Sequence, residues 1–255
     1  MIESKQNQQI RNIIKLSRQA KERRKQKVFL VEGIRMFREA PKDQIVKVYA
    51  TQDFYDKNRN LFQGIEYELV SDKVFKDISD TVTPQGVLAV IRQKEWELEK
   101  LLQRDQDPFL LILENLQDPG NLGTILRTGE GAGITGIIMS RDTVDIYNPK
   151  VIRSTMGSIY RVPFVYVEDL KDVMFKLREH QITSYAAHLK GENVYESDFR
   201  KSCAFLIGNE GNGLTDEISS MAEQYIKIPM CGQLESLNAA VAASVLMYET
   251  RRQRL

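Results

Sequence analysis

The chain contains 255 residues, and its 36 Lys and Arg side chains almost balance its 35 Asp and Glu side chains, which leaves a formal net charge of +1. This balance excludes a protein that coats nucleic acid through a uniformly basic surface, although a local cationic face remains compatible with it. The length is sufficient for two α/β domains with separate cores, and no apolar run of the sequence reaches the roughly 18 residues of a membrane-spanning helix. Because the N-terminal segment is polar and charged rather than signal-like, these features predict a soluble cytoplasmic protein.

The cysteines and histidines do not form a recognisable metal or disulfide pattern. Cys203 and Cys231 are the only cysteines, and neither lies in a CxxC or Cys/His cluster. His180 and His188 are likewise isolated. The sequence therefore predicts two reduced thiols and no metal site.

A basic amphipathic helix is predicted near the N-terminus, over residues 11–27, where Glu22 is the single acid. Its basic residues are Arg11, Lys15, Arg18, Lys21, Arg23, Arg24, Lys25 and Lys27. A solvated helix face and a phosphate-binding face are both compatible with this pattern.

The remainder of the N-terminal part predicts a small α/β domain that ends at residue 92. Apolar runs of strand length recur in it, with a helical pattern over 33–40 between the first two. The predicted strands are 28–31, 45–50, 66–70 and 86–91. The charged stretch 93–107, around Trp96, is predicted to be a linker that is partly helical.

The second domain, residues 108–255, is predicted to contain a parallel β-sheet. Residues 109–113 are a continuous apolar run, typical of a parallel strand that is covered on both faces. Further apolar runs alternate with helical patterns, which favours right-handed crossovers. The runs are 136–139, 182–187 and 204–207, and the helical patterns are 170–179 and 237–248.

Three polar, glycine-bearing segments of this domain follow apolar runs, and the carboxyl ends of parallel strands are where ligands bind in open α/β sheets. In the first, residues 115–127, Asn121 and Arg127 are six positions apart and so do not share one helix face. A helix capped by Asp118 with a solvated Arg127 explains this segment as well as a ligand site does.

The second segment, residues 208–214, places Glu210 among three glycines. A carboxylate is a poor phosphate cradle, so this spacing excludes a P-loop and a dinucleotide fingerprint and favours contact with another ligand over a plain turn. The third segment, residues 228–238, leads into an alanine-rich helix with Ser236 as a candidate cap. A capped core helix explains the alanines, but it does not explain Pro229, Gly232 and Asn238 together.

These segments resemble the three motifs of the SpoU/TrmH family of RNA ribose 2′-O-methyltransferases, in the family's order. The matching patterns are N-x-x-D-P-x-N-x-G-x-x-x-R at 115–127, G-N-E-G-x-G-L at 208–214 and I-P-M-x-G-x-x-E-S-L-N at 228–238. Residues 154–163 resemble the connecting segment of the family. Residues 29–35 are similar to its ribosomal-protein-L30-like substrate-binding domain, so the resemblance reaches both predicted domains.

The resemblance implies an α/β fold with a deep C-terminal trefoil knot (SPOUT), a homodimer, and S-adenosylmethionine (AdoMet) as cofactor. It implies that Arg127 orients the RNA phosphate or lowers the pKa of the ribose hydroxyl, because a guanidinium stays protonated. Proton acceptance by Arg127 remains an alternative. The other polar motif positions, expected to orient Arg127, the ribose or the loops, are Asn121, Glu210, Ser236 and Asn238. The expected cofactor-binding residues are Gly208, Asn209, Gly211, Ile228, Pro229, Met230 and Leu237. The expected RNA-binding residues are Arg23, Arg24, Lys25 and Arg35.

The expected function is therefore AdoMet-dependent 2′-O-methylation of a ribose in structured RNA. Ribosomal RNA is favoured because the N-terminal domain resembles that of the enzymes acting on rRNA. A tRNA methyltransferase and a non-catalytic RNA-binding assembly or protection factor on the same fold remain alternatives. No metal is expected to take part.

Overall fold

The computed structural model describes residues 1–103, 107–234 and 236–255. The chain forms two compact units: the first unit consists of Met1–Lys94 with Asp145–Tyr160, and the second of Glu95–Val144 with Arg161–Leu255. Residues 104–106 of the predicted linker lie outside the described residues. The segment Asp145–Tyr160, which the sequence analysis assigned to the second domain, belongs to the first unit.

Strands and helices mostly alternate along the described chain, except that α1 is followed by α2 and β8 by β9. Up to residue 102 they are α1 (Gln8–Arg18), α2 (Ala20–Gln26), β1 (Val28–Glu32), α3 (Ile34–Glu39), β2 (Ile45–Ala50), α4 (Gln52–Lys57), β3 (Tyr67–Leu69), α5 (Asp72–Ile78), β4 (Val87–Arg92) and α6 (Leu98–Leu102). They continue with β5 (Phe109–Leu113), α7 (Pro119–Ala132), β6 (Gly136–Ser140), α8 (Pro149–Thr155), β7 (Phe164–Val167), α9 (Leu170–Glu179), β8 (Thr183–Asn193), β9 (Cys203–Ile207), α10 (Asp216–Met221), β10 (Gln224–Lys227) and α11 (Ala239–Gln253).

The first unit contains a four-stranded sheet in the order β1-β4-β2-β3. Strand β4 pairs antiparallel with both β1 and β2, whereas β3 runs parallel to β2. Helix α1 buries Ile10, Ile13 and Leu16, at helical spacing, in the same core as residues of β1 and α5. The small α/β domain predicted from the sequence is confirmed.

The predicted basic helix is two helices, because Gln19 has an extended backbone with φ −121° and ψ 110°. The break lets Arg23 turn back towards the end of α1, where its Nη1 donates to Leu16 O over 2.6 Å. Its Nε and Nη2 donate to Asp145 Oδ2 over 3.0 and 2.5 Å. The side chain of Arg23 is therefore internal to the first unit, with the residue only 3% exposed.

The predicted RNA contact by Arg23 is consequently wrong, because its guanidinium is already bonded and does not reach solvent. The sequence pattern marked Arg23 as one more charge on a basic helix, and only tertiary structure supplies Asp145 as its partner. Arg24 and Lys25 are exposed. Arg35 is also exposed, and its Nε lies 3.2 Å from Glu39 Oε1.

The second unit contains a six-stranded sheet in the order β10-β8-β9-β5-β6-β7, and every neighbouring pair is parallel. Strands β5 and β9 are neighbours in its centre, and both are completely buried. The carboxyl ends of these two strands therefore lie side by side, and the first two motif segments begin there. The predicted parallel sheet is confirmed.

The sequence analysis did not predict strands β7 and β10, because each has only four residues and is partly exposed, so neither forms a long apolar run. Strand β8 is longer than expected, and Gly191 in it allows a close approach of β10. A Cβ atom on Gly191 would lie 2.4 Å from the backbone nitrogen of Ile226. Among the described residues, no helix is long and apolar enough to cross a membrane.

Candidate active site

A cavity of about 370 Å³ lies beyond the carboxyl ends of β9 and β10. This volume falls within the range of sites for small molecules and cofactors. Four stretches of chain, from β8, the β9–α10 connection, the segment after β10, and α11 with its approach, form its walls. The lining residues are Ala187, His188, Leu189, Ile207, Gly208, Asn209, Glu210, Gly211, Asn212, Gly213, Leu214, Ile226, Lys227, Ile228, Met230, Ser236, Leu237, Ala239, Ala242 and Leu246.

Most of the residues that the sequence analysis assigned to a cofactor line this cavity. They are Gly208, Asn209, Gly211, Ile228, Met230 and Leu237, whereas Pro229 is not among the described lining residues. Glu210 and Ser236, assigned to catalysis, also line it. The contributions of β8 and of the body of α11 were missed, because apolar residues inside a strand or helix carry no sequence signal that separates pocket from core.

Residues 208–214, called the pocket loop here, form one wall of the cavity. Two backbone hydrogen bonds within the loop hold it closed. Asn209 N donates to Gly213 O and Gly213 N donates to Asn209 O, both over 2.9 Å. Gly213 has φ +70°, and a Cβ atom on Gly208 would lie 2.0 Å from the carbonyl carbon of Gly213. The close packing of this loop on itself therefore requires a glycine at 208, and the left-handed backbone favours a glycine at 213.

A chain of hydrogen bonds joins one residue from each of the three motifs. Glu210 Oε1 accepts from Asn121 Nδ2 over 3.0 Å, and Asn121 Oδ1 accepts from Asn238 Nδ2 over 2.9 Å. The same carboxylate accepts from the backbone nitrogens of Gln117 and Asp118, over 3.0 and 2.9 Å. The pocket loop, the start of α7 and the start of α11 are thus held in one arrangement.

The environment of Glu210 keeps its carboxylate ionised. Burial by itself raises the pKa of Glu210, but the hydrogen bonds from Asn121, Gln117 and Asp118 outweigh it and hold the pKa below its ordinary value. Because three donors already occupy the carboxylate, Glu210 organises the site rather than taking a proton from a substrate.

Glu210→Gln is expected to make the stability of the folded protein depend less on pH in the acid range. Since the folded pKa lies below the unfolded value of about 4.3, ionised Glu210 stabilises the fold above that pH and loses this effect as the pH falls through the folded pKa. The Tm of the wild-type protein should exceed that of the variant at neutral pH, and the difference should shrink between about pH 5 and pH 3. Scanning calorimetry of both proteins measures it, and a difference independent of pH would contradict this assignment.

Arg127 lies on α7 but on a different face from Asn121, because α7 is helical throughout Pro119–Ala132. Asn121 is buried, whereas Arg127 is exposed and makes no hydrogen bond or ion pair with a described residue. One turn further along α7, a Cβ atom on Gly131 would lie 3.1 Å from Tyr248 Oη of α11. The guanidinium is therefore available to a ligand from solvent, and Asn121 does not orient it by direct contact.

The candidate site offers no cluster for a metal ion. Over residues 1–103, 107–234 and 236–255, no group of three or more His, Cys, Asp and Glu side chains is placed to hold one. Cys203 is buried and Cys231 is exposed, and both are free thiols. Burial raises the pKa of the Cys203 thiol to about 12, so this side chain is an unreactive core residue.

The fold and the site together define an α/β protein with a parallel sheet and a small-molecule pocket at the carboxyl ends of its strands. A family model described as the SpoU rRNA Methylase family matches residues 108–248, and a model described as an MRM3-like substrate binding domain matches residues 7–89. The chain belongs to the SpoU rRNA methylase family.

Similar proteins include several of assigned activity. The 23S rRNA (guanosine(2553)-2'-O)-methyltransferase RlmP of Bacillus subtilis (strain 168) is 34% identical over 98% of both chains. The 23S rRNA (guanosine-2'-O-)-methyltransferase RlmB of Bordetella pertussis is 32% identical over 85% of this chain and 92% of its own.

Similar solved structures include two with AdoMet. The AdoMet-bound rRNA methyltransferase from Sinorhizobium meliloti has a TM-score of 0.88 at 29% identity, covering 100% of this chain and 98% of that one. The SpoU methyltransferase AviRb from Streptomyces viridochromogenes, in complex with AdoMet, has a TM-score of 0.87 at 26% identity, covering 97% and 98%.

Proposed function

We propose that this protein is an AdoMet-dependent rRNA methyltransferase that methylates a ribose 2′-hydroxyl. The observation that carries the proposal is the hydrogen-bonded chain Glu210–Asn121–Asn238, which joins the pocket loop to the helix of Arg127. This arrangement places the cofactor pocket next to the start of α7, the helix that carries the exposed cation of Arg127. The rRNA 2'-O-methyltransferases RlmP and RlmB, similar over most of the chain, support the substrate class.

The pocket fits AdoMet by its chemistry. Apolar side chains suit a purine ring, and the backbone groups of the pocket loop can hydrogen-bond its edge. The apolar lining includes Ile207, Leu214, Ile226, Ile228, Leu237 and Leu246, and the charged lining side chains are Glu210 and Lys227. A carboxylate and an ammonium group match an amino-acid moiety of opposite charges. AdoMet supplies an activated methyl group on a sulfonium, and the residues that would hold it are those of the pocket loop together with Ile228, Met230 and Leu237.

The chain's own contribution is positioning. Methyl transfer requires a ribose oxygen in line with the methyl group, and holding reactants in that geometry accounts for a large part of catalysis. Arg127 is proposed to hold the RNA phosphate or to stabilise the developing alkoxide, since its guanidinium is exposed and stays charged. Ser236, exposed at the cavity, is proposed to contact the ligand, and Asn238 holds Asn121 while it caps α11.

Four further features belong to this proposal: a homodimer, a deep trefoil knot in the second domain, a cytoplasmic location, and a division into an RNA-binding domain at 1–92 and a transferase domain at 108–255. The dimer is supported by the side of α11 that carries Val241 and Tyr248, which are 49% and 54% exposed. Because Tyr248 lies against α7 one turn beyond Arg127, a dimer through this side would bring the partner subunit close to Arg127. The two family matches, at 7–89 and 108–248, support the domain division.

The proposed function is tested with purified protein, tritiated AdoMet and rRNA from a strain that lacks the gene. Incorporation of label into rRNA, followed by mapping of the alkali-resistant linkage, would identify the nucleotide. Labelling of tRNA alone would change the substrate class. AdoMet binding without transfer to any cellular RNA would favour a non-catalytic factor on this fold.

The RNA-binding surface is proposed to be the exposed side of α1 and α2. Its basic side chains are exposed and make no ion pair with a described residue, whereas Lys57 and Arg59 elsewhere in the same unit are paired with Asp53 and Asp56. The members of this cationic surface are Arg11, Lys15, Arg18, Lys21, Arg24 and Lys25. Arg35 remains a predicted contact beside it, although its pairing with Glu39 reduces the charge that it presents.

The combined change Arg18→Gln, Arg24→Gln and Lys25→Gln is expected to weaken RNA binding and flatten its salt dependence. Each phosphate contact contributes about 0.7 to 0.9 to the slope of log K against log salt, so the slope should fall by about two to three. Filter binding at several salt concentrations measures it. The control Lys57→Gln, Arg59→Gln and Arg200→Gln removes the same charge from side chains that are exposed but paired. Equal slopes for the two triple variants would show that the basic side of α1 and α2 is a solvated helix face and not an RNA-binding surface.

A further inference from the structure

The pocket loop is attached at both ends to two consecutive residues that follow β5. At its start, Asn209 Nδ2 donates to Asn115 O over 2.9 Å. Directly after it, Thr215 donates from its backbone nitrogen to Glu114 Oε2 over 2.8 Å and from Oγ1 to Glu114 Oε1 over 2.7 Å. Because every residue of the pocket loop lines the cavity, these attachments determine where that wall of the cavity lies.

Glu114 is a buried carboxylate without a cation. The residue is 5% exposed, and it forms no ion pair with any described residue. Burying a carboxyl group that has only neutral donors is unfavourable compared with burying an apolar residue of similar size. The contact is therefore poorly explained by stability alone, and a role in placing Thr215 accounts for it.

Thr215 connects the end of the pocket loop to the next helix. Its Oγ1 accepts from Ile218 N over 3.2 Å and so caps α10, while the same hydroxyl donates to Glu114. Glu114 N in turn donates to Ile207 O over 2.9 Å, which fixes Glu114 next to the end of β9. The contact thus sets the position at which the pocket loop ends and α10 begins.

We propose that Glu114 is a positioning residue that acts through Thr215 to hold the pocket loop in its AdoMet-binding conformation. The proposal rests on the proposed function, since it takes AdoMet as the ligand of the cavity. Among the described residues, Glu114 does not line the cavity. It acts only through the position of the pocket loop, so we expect it to affect the affinity for AdoMet and not the transfer step.

Calorimetric titration of AdoMet tests the proposal in the absence of RNA. Glu114→Ala, which removes both bonds, should raise the Kd about tenfold or more, and Thr215→Val, which removes only the hydroxyl, about threefold. Thr215→Ser retains the hydroxyl and should bind as the wild type does. With AdoMet saturating, kcat should stay within about twofold of the wild type while KM for AdoMet follows the Kd. The double variant should bind AdoMet only slightly more weakly than Glu114→Ala, because the contact between residues 114 and 215 is already lost there and only the cap of α10 is lost in addition.

Glu249→Ala is the matched control. Glu249 is also a buried carboxylate, 7% exposed, but it bonds Arg252 and Gln253 at the far end of α11. Its loss should lower the Tm and leave the Kd for AdoMet unchanged.

The proposal is overturned if Glu114→Ala and Thr215→Val bind AdoMet as tightly as the wild type while their Tm falls as in the control. If Glu114→Ala does not fold, the comparison of Thr215→Val with Thr215→Ser decides. A wild-type protein that binds no AdoMet would instead refute the proposed function, and this inference with it.

Discussion

Arg127→Ala is expected to lower the rate of methyl transfer by at least about a hundredfold, because removing one positioned donor to developing charge typically costs a factor of 10² to 10³. The Kd for AdoMet should stay within about twofold of the wild type, since Arg127 does not line the cavity among the described residues. Single-turnover transfer from tritiated AdoMet to rRNA, together with calorimetric titration of AdoMet, measures both quantities.

Two further variants show whether the loss of rate is specific to the guanidinium of Arg127. Arg127→Lys keeps the charge but loses the planar, two-pronged donor, so it should recover only part of the rate. Arg141→Ala removes an exposed arginine of the same unit that pairs with Glu168, and it should leave the rate unchanged. Full turnover in Arg127→Ala would show that Arg127 has no part in the mechanism. A large loss of AdoMet affinity would show that Arg127 acts in cofactor binding.

Gly208→Ala is expected to abolish measurable AdoMet binding. The added Cβ atom would lie 2.0 Å from the carbonyl carbon of Gly213 and 2.1 Å from the nitrogen of Leu214. These are backbone atoms that no side-chain rotation can move, so the pocket loop must open and the hydrogen bonds between Asn209 and Gly213 must break. Calorimetric titration with AdoMet, with circular dichroism to verify folding, measures the effect.

Gly232→Ala is the control for this change. Gly232 belongs to the third motif segment, and a Cβ atom there would meet no atom of a described residue within 4 Å. Its AdoMet affinity should therefore equal that of the wild type. A Gly208→Ala protein that is folded and binds AdoMet normally would show that the pocket loop is not a wall of the cofactor site.

Most of the residues predicted to bind the cofactor line the cavity, because motif positions carry backbone chemistry that a sequence records. Glycines at 208 and 213 and a carboxylate at 210 are unusual after a buried strand, and each has a defined role in the pocket loop. By contrast, His188 and Leu246 line the cavity from β8 and α11 without a motif. Their contribution depends on which strand ends and helix faces meet in space.

The errors have the same origin. Arg23 was taken for a surface charge because its neighbours are basic, yet its partner, Asp145, lies 122 positions along the chain. The basic segment breaks at Gln19, and this break brings the guanidinium of Arg23 to Leu16 O at the end of α1. Neither contact leaves a trace in local periodicity.

The sequence by itself determined the alternation of strands and helices, the buried parallel strands β5 and β9, and the glycines and polar residues that follow them. These depend on burial and backbone preference, which are properties of short stretches of chain. Only the tertiary structure decided that Glu210, Asn121 and Asn238 form one hydrogen-bonded chain, that Glu114 holds Thr215, and that Arg23 is buried. Each of these contacts joins segments far apart in sequence, and a hydrogen bond depends on distance and angle in space rather than on residue order.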